Sequence, residues 1–402
     1  MACIAISGYY GFYNTGDEAI LEVIISILRR RIPGAEIVVF SADPDHTSKA
    51  YGVESVSRTH LPSVMRTLKR ADLLISGGGG LLQDITSFRS VAYYLGIMEV
   101  ALCMGKKVAV FAQGMGPLRH PLALRWVKRV LNRVDLVSVR DSLSASFLGE
   151  LGIKNNVRIT ADPVFSLKPA SREEIEAFWK KEELAMRIQA SRTAPQAGDL
   201  ESKAQASALQ TQTLAEKKPL QIGVALRPFP HKTYSGAEIF DIITEACLYL
   251  EREYDASFIF LPYQLKKDLP ISREIAARLS RPSVVIERAL TVREVISLIG
   301  GLDLLLGMRL HALIFSAISG VSFIPLPYDP KINAFLSRLE KDLLPSLEDL
   351  TLDQLIFHIE MALSEKGLAE KVELASRIEK LRDEVERSAL ELVALVSGAG
   401  KG

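Results

Sequence analysis

Cys3-Ile4-Ala5-Ile6-Ser7-Gly8-Tyr9-Tyr10-Gly11-Phe12-Tyr13-Asn14-Thr15-Gly16-Asp17-Glu18 begins with a short, almost uninterrupted apolar run, passes through a glycine-spaced turn and enters an amphipathic pattern over Asp17–Arg31. A run of this kind reads as a strand covered on both faces, the habit of parallel sheets. Glycines at 8, 11 and 16 let the backbone turn tightly after the strand and approach a ligand. Thr15 and Glu18 have the spacing of a capping box for the helix. In open sheets built from such strand–loop–helix units, ligands sit at the carboxyl ends of the strands.

The unit recurs. Further strands are expected at Glu36–Phe40, Asp72–Ser76, Val108–Gln113, Leu136–Val139 and Val157–Thr160, with helices at Leu81–Cys103, Leu122–Arg133 and Leu143–Leu151. Ser171–Arg187 reads as a charged helix capped by Ser171, with Glu173 and Glu174 in its first turn. Gln189–Lys218 is rich in Ala, Gln, Ser, Thr and Lys and poor in apolar anchors, which marks a linker or insertion. Alternation resumes with strands at Gln221–Leu226, Ser257–Leu261, Val284–Glu287, Asp303–Leu306 and Ser322–Leu326. Helices are expected near Ala237–Glu253, Ile271–Leu279, Val292–Ile299, Leu310–Ser319 and Ile332–Lys341. The expected organisation is an α/β protein with a doubly wound domain over residues 1–168, the charged helix and linker over 169–218, a second doubly wound domain over 219–345, and charged helices over 346–402. The two domains face a cleft.

Composition narrows the function. With a net charge of +1, no global field selects nucleic acid or acidic partners. Cys3, Cys103 and Cys247 are widely spaced and show neither metal-ligand spacing nor a disulfide framework, as in a reducing cytoplasm. No stretch approaches the ~20 apolar residues that span a bilayer, so a soluble, cytoplasmic protein is expected, with no metal and no cofactor. One helix is locally basic. Arg125, Lys128, Arg129, Asn132 and Arg133 share a face opposite Ala123, Val127, Val130, Leu131 and Val134. Such a stripe is either a solvated face or a patch that docks the protein on an anionic membrane.

Chemistry is concentrated at strand ends. Gly307-Met308-Arg309-Leu310-His311-Ala312 places an Arg and a His at the mouth of a helix, where free amides and the helix dipole favour an anion. Arg227, left at a strand exit by Pro228, points to the same cleft, and two arginines suit a small, doubly charged anion. Lys331, in Pro327-Tyr328-Asp329-Pro330-Lys331, lies either near that rim or in solvent. Ser76-Gly77-Gly78-Gly79-Gly80-Leu81-Leu82-Gln83-Asp84 brings four glycines before a helix, suited to an anion or sugar close to the backbone, yet it is neither a dinucleotide fingerprint nor a Walker loop. Asn14 and Asp17 either cap the first helix or line the cleft, whereas Glu18 reads as structural. Asp141 caps the helix that follows it, and Arg140 and Asp162 line the cleft or pair with each other.

Taken as a set, Tyr13–Ile20, Ser76–Gly80 with Gln83-Asp84, Gln113-Gly-Met-Gly-Pro117, Ala161-Asp-Pro-Val-Phe165, Arg309-Leu-His311 and Tyr328-Asp-Pro-Lys331 resemble the polysaccharide pyruvyltransferase family, and most nearly its cell-wall branch. The resemblance implies two Rossmann-like domains in a glycosyltransferase-B-like arrangement. It implies transfer of pyruvate from phosphoenolpyruvate, as a ketal, to a lipid-linked saccharide containing N-acetylmannosamine at the inner face of the membrane. The donor residues carried over are Arg227, Arg309, Leu310, His311 and Lys331. The acceptor candidates are Asn14, Gly16, Asp17, Gly79, Gly80 and Asp84. His311, Arg309 and Asp17 are the expected catalytic groups. The rivals are a sugar-nucleotide glycosyltransferase, with Asp329 as the carboxylate for a ribose, and a non-catalytic carbohydrate- or membrane-binding module.

Overall fold

The structure, a computed structural model, describes residues 2–84, 88–193, 219–228, 236–281 and 283–397. The first half runs β1 Cys3–Ser7, α1 Thr15–Arg31, β2 Glu36–Ser41, α2 Pro44–Tyr51, β3 Glu54–Ser57, α3 Leu61–Arg70, β4 Leu73–Ser76, α4 Phe88–Cys103, β5 Lys107–Gln113, α5 Pro121–Leu131, β6 Leu136–Val139, α6 Ser142–Glu150 and β7 Val157–Ile159. A 3₁₀ turn, Pro163–Ser166, leads to α7 Arg172–Thr193. The second half runs β8 Gln221–Ala225, α8 Gly236–Tyr254, β9 Ser257–Phe260, α9 Leu265–Ala276, β10 Val284–Val285, α10 Val292–Gly300, β11 Leu304–Gly307, α11 Leu310–Ile318, β12 Ser322–Pro325, α12 Pro330–Arg338, α13 Leu352–Leu363 and α14 Glu365–Ser397.

Both sheets are parallel, with strand orders β3-β2-β1-β4-β5-β6-β7 and β10-β9-β8-β11-β12. Every residue of β1, β4, β6 and β11 is buried, which is why these strands read as unbroken apolar runs. In each sheet the order reverses beside its first strand, between β1 and β4 and between β8 and β11. Loops on either side of such a reversal diverge and leave a crevice.

Several sequence expectations need correction. The segment α2–β3–α3 was not anticipated. β3 is an edge strand without a fully buried residue, and α2 buries only Thr47, so neither has the apolar signal of a central element. The helix expected from Leu81 starts at Phe88. Leu81 and Leu82 are buried in the preceding loop and mimic helical periodicity. The capping box of Thr15 and Glu18 does not form. Asn14 is the N-cap, accepting from the Gly16 amide at 3.2 Å, while the Glu18 carboxylate takes the Gly11 amide at 2.8 Å and the Tyr51 hydroxyl at 2.9 Å. Ser171 and Glu174 cap α7 reciprocally. Of the expected linker Gln189–Lys218, residues 194–218 lie outside the described residues.

The last helix joins the two halves. Leu374, Ile378, Leu381, Val385, Ala389 and Leu392 recur at three- and four-residue spacing and enter one apolar cluster that holds side chains from both sheets. Polar contacts also run both ways. Glu386 pairs with Arg30 and Arg31, Arg382 donates to Phe165 O at 3.2 Å, and Arg377 donates to Leu339 O at 2.7 Å. The two sheets are thereby held facing each other.

Candidate active site

A cavity of about 780 Å³ opens between the carboxyl edges of the two sheets, within the range that encloses a small organic ligand. Its walls come from the loops at both reversal points. The first sheet supplies Asn14, Asp17, Gly79 and Gly80, and the second supplies Arg227, Arg309, Leu310, His311 and Lys331. Residues separated by three hundred positions therefore share one chamber.

On the second-sheet wall, Arg309 is the N-cap of α11 without a capping side chain. Its Nε donates to Asp268 Oδ2 at 3.1 Å and its Nη2 to Asp268 Oδ1, so the pair is bidentate. Asp268 is fully buried and also accepts the amides of Tyr263 and Gln264 at 3.1 and 2.9 Å. Arg309 is thus a rigid, already neutralised fork. Arg227 differs. Its guanidinium lies 4.5 Å from the Tyr328 ring centroid and Nη1 donates to the Tyr328 hydroxyl at 2.9 Å. Among the described residues no carboxylate forms an ion pair with Arg227 or with Lys331. Burial lowers the Lys331 pKa, while Asp329 works the other way. The positive charge open to a ligand on this wall therefore comes from Arg227 and Lys331, with the exposed Lys267 at the rim.

His311 crosses the cleft. A Cβ on Gly16 would lie 2.0 Å from His311 Nδ1, so the imidazole is seated on the first turn of α1 where no side chain fits. His311 Nε2 stands 3.7 Å from Asp162 Oδ2, within ion-pair range and beyond a hydrogen bond, and is buried without a hydrogen-bond partner. Arg140 Nη1 donates to Asp162 at 2.8 Å, so these two do pair with each other, and both are buried. The Asp162 carboxyl feels burial, but nearby His311 and Arg140 outweigh it and hold its pKa well below the usual range. Asp17 has the opposite fate. Burial raises its pKa to about 7, with His311 pulling down and Glu18 pushing up. Two aspartates near one imidazole thus have pKa values driven apart, a pattern of acid–base sites.

The glycine loop serves two purposes. Gly79 has φ +89, and a Cβ there would lie 2.7 Å from Asp17 Oδ1, so glycine both permits the turn and admits the carboxylate. Gly79 and Gly80 also line the cavity. Asp84 is placed apart from the lining. Its carboxylate accepts the backbone amides of Arg119 and His120 at 2.7–3.0 Å. Beside α5, Glu99 of α4 pairs with Arg129 at 2.5 Å and reaches Arg133 at 3.8 Å, leaving Arg125 and Lys128 as the exposed remainder of the basic stripe.

A family model described as polysaccharide pyruvyl transferase matches residues 14–330. That span runs from Asn14 through every candidate donor residue except Lys331, its immediate successor. The chain belongs to the polysaccharide pyruvyl transferase family. It is accordingly a transferase enzyme that modifies polysaccharide. No curated protein sequence matches it. Solved structures similar to this pyruvyl transferase include UDP-GlcNAc 2-epimerase from Neisseria meningitidis bound to UDP-GlcNAc, with TM-score 0.59, 11% identity and 98% of this chain and 100% of that chain covered. Others are Anabaena HepE in complex with UDP, with TM-score 0.61, 11% identity and coverage of 99% and 100%, and a glycosyltransferase from Rickettsia africae, with TM-score 0.60, 11% identity and 100% of each chain. At that identity the likeness is one of fold. The pyruvyl transferase has the glycosyltransferase-B-like architecture of two Rossmann-like domains.

Asp268 escaped the sequence reading. It sits inside a charged helical stretch, Leu265-Lys-Lys-Asp268, where an acidic residue reads as solvated, and only the tertiary approach of α11 shows it to be buried. Tyr328 belongs to a sequence motif, but nothing local to it shows that its ring carries Arg227. No helix of the described residues is long and apolar enough to cross a membrane.

Proposed function

We propose that this enzyme transfers the pyruvyl group of phosphoenolpyruvate, as a ketal, to two hydroxyls of a sugar in a lipid-linked cell-wall saccharide containing N-acetylmannosamine. The observation that carries the reading is that open cations and a carboxyl of raised pKa share one cavity. Open cations, Arg227 and Lys331, face a carboxyl, Asp17, whose pKa of about 7 suits proton transfer to or from a hydroxyl at neutral pH.

In this reading Arg227 and Lys331, with the α11 N-terminus, hold the phosphate and carboxylate, and the Arg309–Asp268 pair orients them. Protonation of the donor's methylene carbon leaves C2 electrophilic. A sugar hydroxyl oxygen bonds to C2 and its proton passes to ionised Asp17. The C2–O bond to phosphate then breaks, the leaving oxygen keeps the electron pair, and His311, whose Nε2 has no other partner, donates to it. A second hydroxyl adds to C2 and passes its proton to the His311 imidazole, left neutral by the previous step, closing the ketal. One phosphate is released per ketal. No step needs a metal or a cofactor.

The sugar-nucleotide reading is weaker, because Asp329, its candidate ribose ligand, is the N-cap of α12 and accepts the Lys331 amide at 3.0 Å. Phosphate release from phosphoenolpyruvate, measured with a panel of prenyl-diphosphate-linked disaccharides, tests the proposal. Stoichiometric phosphate and pyruvylated saccharide are expected. Silence across the panel, with thermal stabilisation by UDP-sugars and none by phosphoenolpyruvate, would replace it with the glycosyltransferase.

A further inference from the structure

The turn after β1 holds its aromatic rings in a fixed order. Tyr10 points inward and is fully buried, whereas Phe12 and Tyr13 remain 39% and 45% exposed. Tyr13 has φ +57, a left-handed conformation rare for a bulky residue, and its hydroxyl donates to Asp43 at 2.6 Å. The Tyr9 and Phe12 rings are parallel, with centroids 4.1 Å apart and planes 9° apart. Arg58 braces them. Its guanidinium carbon lies 5.1 Å from the Phe12 centroid and 4.1 Å from that of Tyr93, and Nη1 donates to Gly8 O at 3.3 Å.

A core contact would have buried both rings. Here one ring, Tyr9, lines the cavity, and its neighbour, Phe12, stays exposed. Phe12 covers one face of the Tyr9 ring, and the half-buried ring packs against the first-domain core while bordering the chamber. The first-sheet lining also includes Tyr94, with Arg119 and the Asp162-paired Arg140, while Arg227, Lys331 and Arg309 belong to the opposite sheet. A doubly charged donor belongs with the cations. A pyranose ring, whose C–H groups form one apolar face between polar edges, suits a flat, immobilised aromatic surface.

We propose that Tyr9, backed by Phe12 and held by Arg58, is a stacking platform for a pyranose ring of the saccharide acceptor; this rests on the reading of the cavity as a pyruvyl-transfer site. The aromatic end then selects by ring shape while the cationic end binds the donor, so the two substrates are recognised by different physics in one chamber.

The test is steady-state phosphate release from phosphoenolpyruvate with a prenyl-diphosphate-linked N-acetylmannosamine–N-acetylglucosamine disaccharide, for the wild type and for Tyr9→Phe, Tyr9→Leu and Phe12→Ala. Tyr9→Phe keeps the ring and should leave the acceptor KM within about twofold. Tyr9→Leu keeps apolar bulk without the π face and should raise it about tenfold, with the phosphoenolpyruvate KM unchanged. Phe12→Ala should raise it severalfold. Because Phe12 is exposed, that variant decides the question should the melting curve show Tyr9→Leu to be unfolded. An unchanged acceptor KM in Tyr9→Leu and Phe12→Ala, or equal rises for both substrates, overturns the platform and leaves the transfer reaction standing. No phosphate release by the wild type overturns the transfer reading itself.

Discussion

Arg309 reaches the cavity with its charge already matched by Asp268, a fully buried carboxylate that holds both edges of the guanidinium. Breaking such a buried pair from one side leaves an uncompensated charge and costs about 3–5 kcal/mol. Asp268→Asn should therefore lower the urea midpoint and weaken phosphoenolpyruvate binding together. Arg309→Ala should lose transfer and stability alike, because it strands Asp268. Combined, the two changes should cost less than their sum, a coupling that a double-mutant cycle in denaturant measures. Strict additivity would mean that the pair does not hold the fork.

Gly16 is where the second domain's imidazole rests on the first domain. Gly16→Ala favours the helix locally, but its Cβ would occupy the space of His311 Nδ1. The expected outcome is a protein that melts near the wild-type temperature and transfers pyruvate on the order of 100-fold more slowly, the effect of a displacement of about 1 Å at a reacting group. Wild-type turnover in this variant would show that His311 is not needed at that position.

Asp17 sets a pH dependence whose sign is fixed. Its pKa is raised in the folded state, from an unfolded value of 3.8 to about 7. The folded protein therefore binds the proton more tightly, and this contribution to stability is complete below about pH 4 and is lost as pH rises through 7. Asp17→Asn should be more stable than wild type at pH 8 by on the order of 4 kcal/mol, with the advantage vanishing at acid pH. In the proposed mechanism the ionised form is the base, so wild-type kcat/KM should rise with pH through about 7, and the same limb should be absent from whatever activity Asp17→Asn retains. Parallel melting temperatures for the two proteins from pH 5 to pH 8 would contradict the assignment.

Tyr328 fixes Arg227 twice, through its hydroxyl and through its ring. Tyr328→Phe removes only the hydrogen bond, and one to a charged donor contributes about 1.5–3 kcal/mol when buried. The site is partly open, so a rise of about threefold to tenfold in the phosphoenolpyruvate KM with little change in kcat is expected from initial-rate kinetics. A fall in kcat at constant KM would instead place Arg227 in the chemical step.

The exposed face of α5 has lost part of its basic stripe to Glu99, and what stays free is Arg125 and Lys128. If this face meets an anionic membrane, each cation contributes about 1 kcal/mol. Co-sedimentation with phosphatidylglycerol vesicles should then weaken with salt and fall about fivefold in Lys128→Ala. Absent or salt-independent binding removes the membrane contact.

The strands and glycine loops were legible because central parallel strands need unbroken apolar runs and because strand-end loops need residues that turn. Edge strand β3 and helix α2 were not, since neither buries enough to leave a pattern. Motif residues His311, Arg309, Arg227 and Asp17 were readable as chemistry-bearing residue types at strand exits. Their partners were not. Whether Glu18 completes a capping box or ties down Gly11 depends on where the loop folds back, and local spacing is silent on that.

The sequence by itself determined two parallel α/β domains, the order of their loops and a second-domain loop shaped for an anion, because periodicity and glycine placement are local properties of the chain. Only the tertiary structure decided which charges remain open, since that depends on distance between residues far apart in the sequence. It closed Arg309 onto Asp268 and Arg140 onto Asp162, and it left Arg227 and Lys331 free of carboxylate partners among the described residues. It also set His311 on Gly16 beside an aspartate whose burial raises its pKa to about 7.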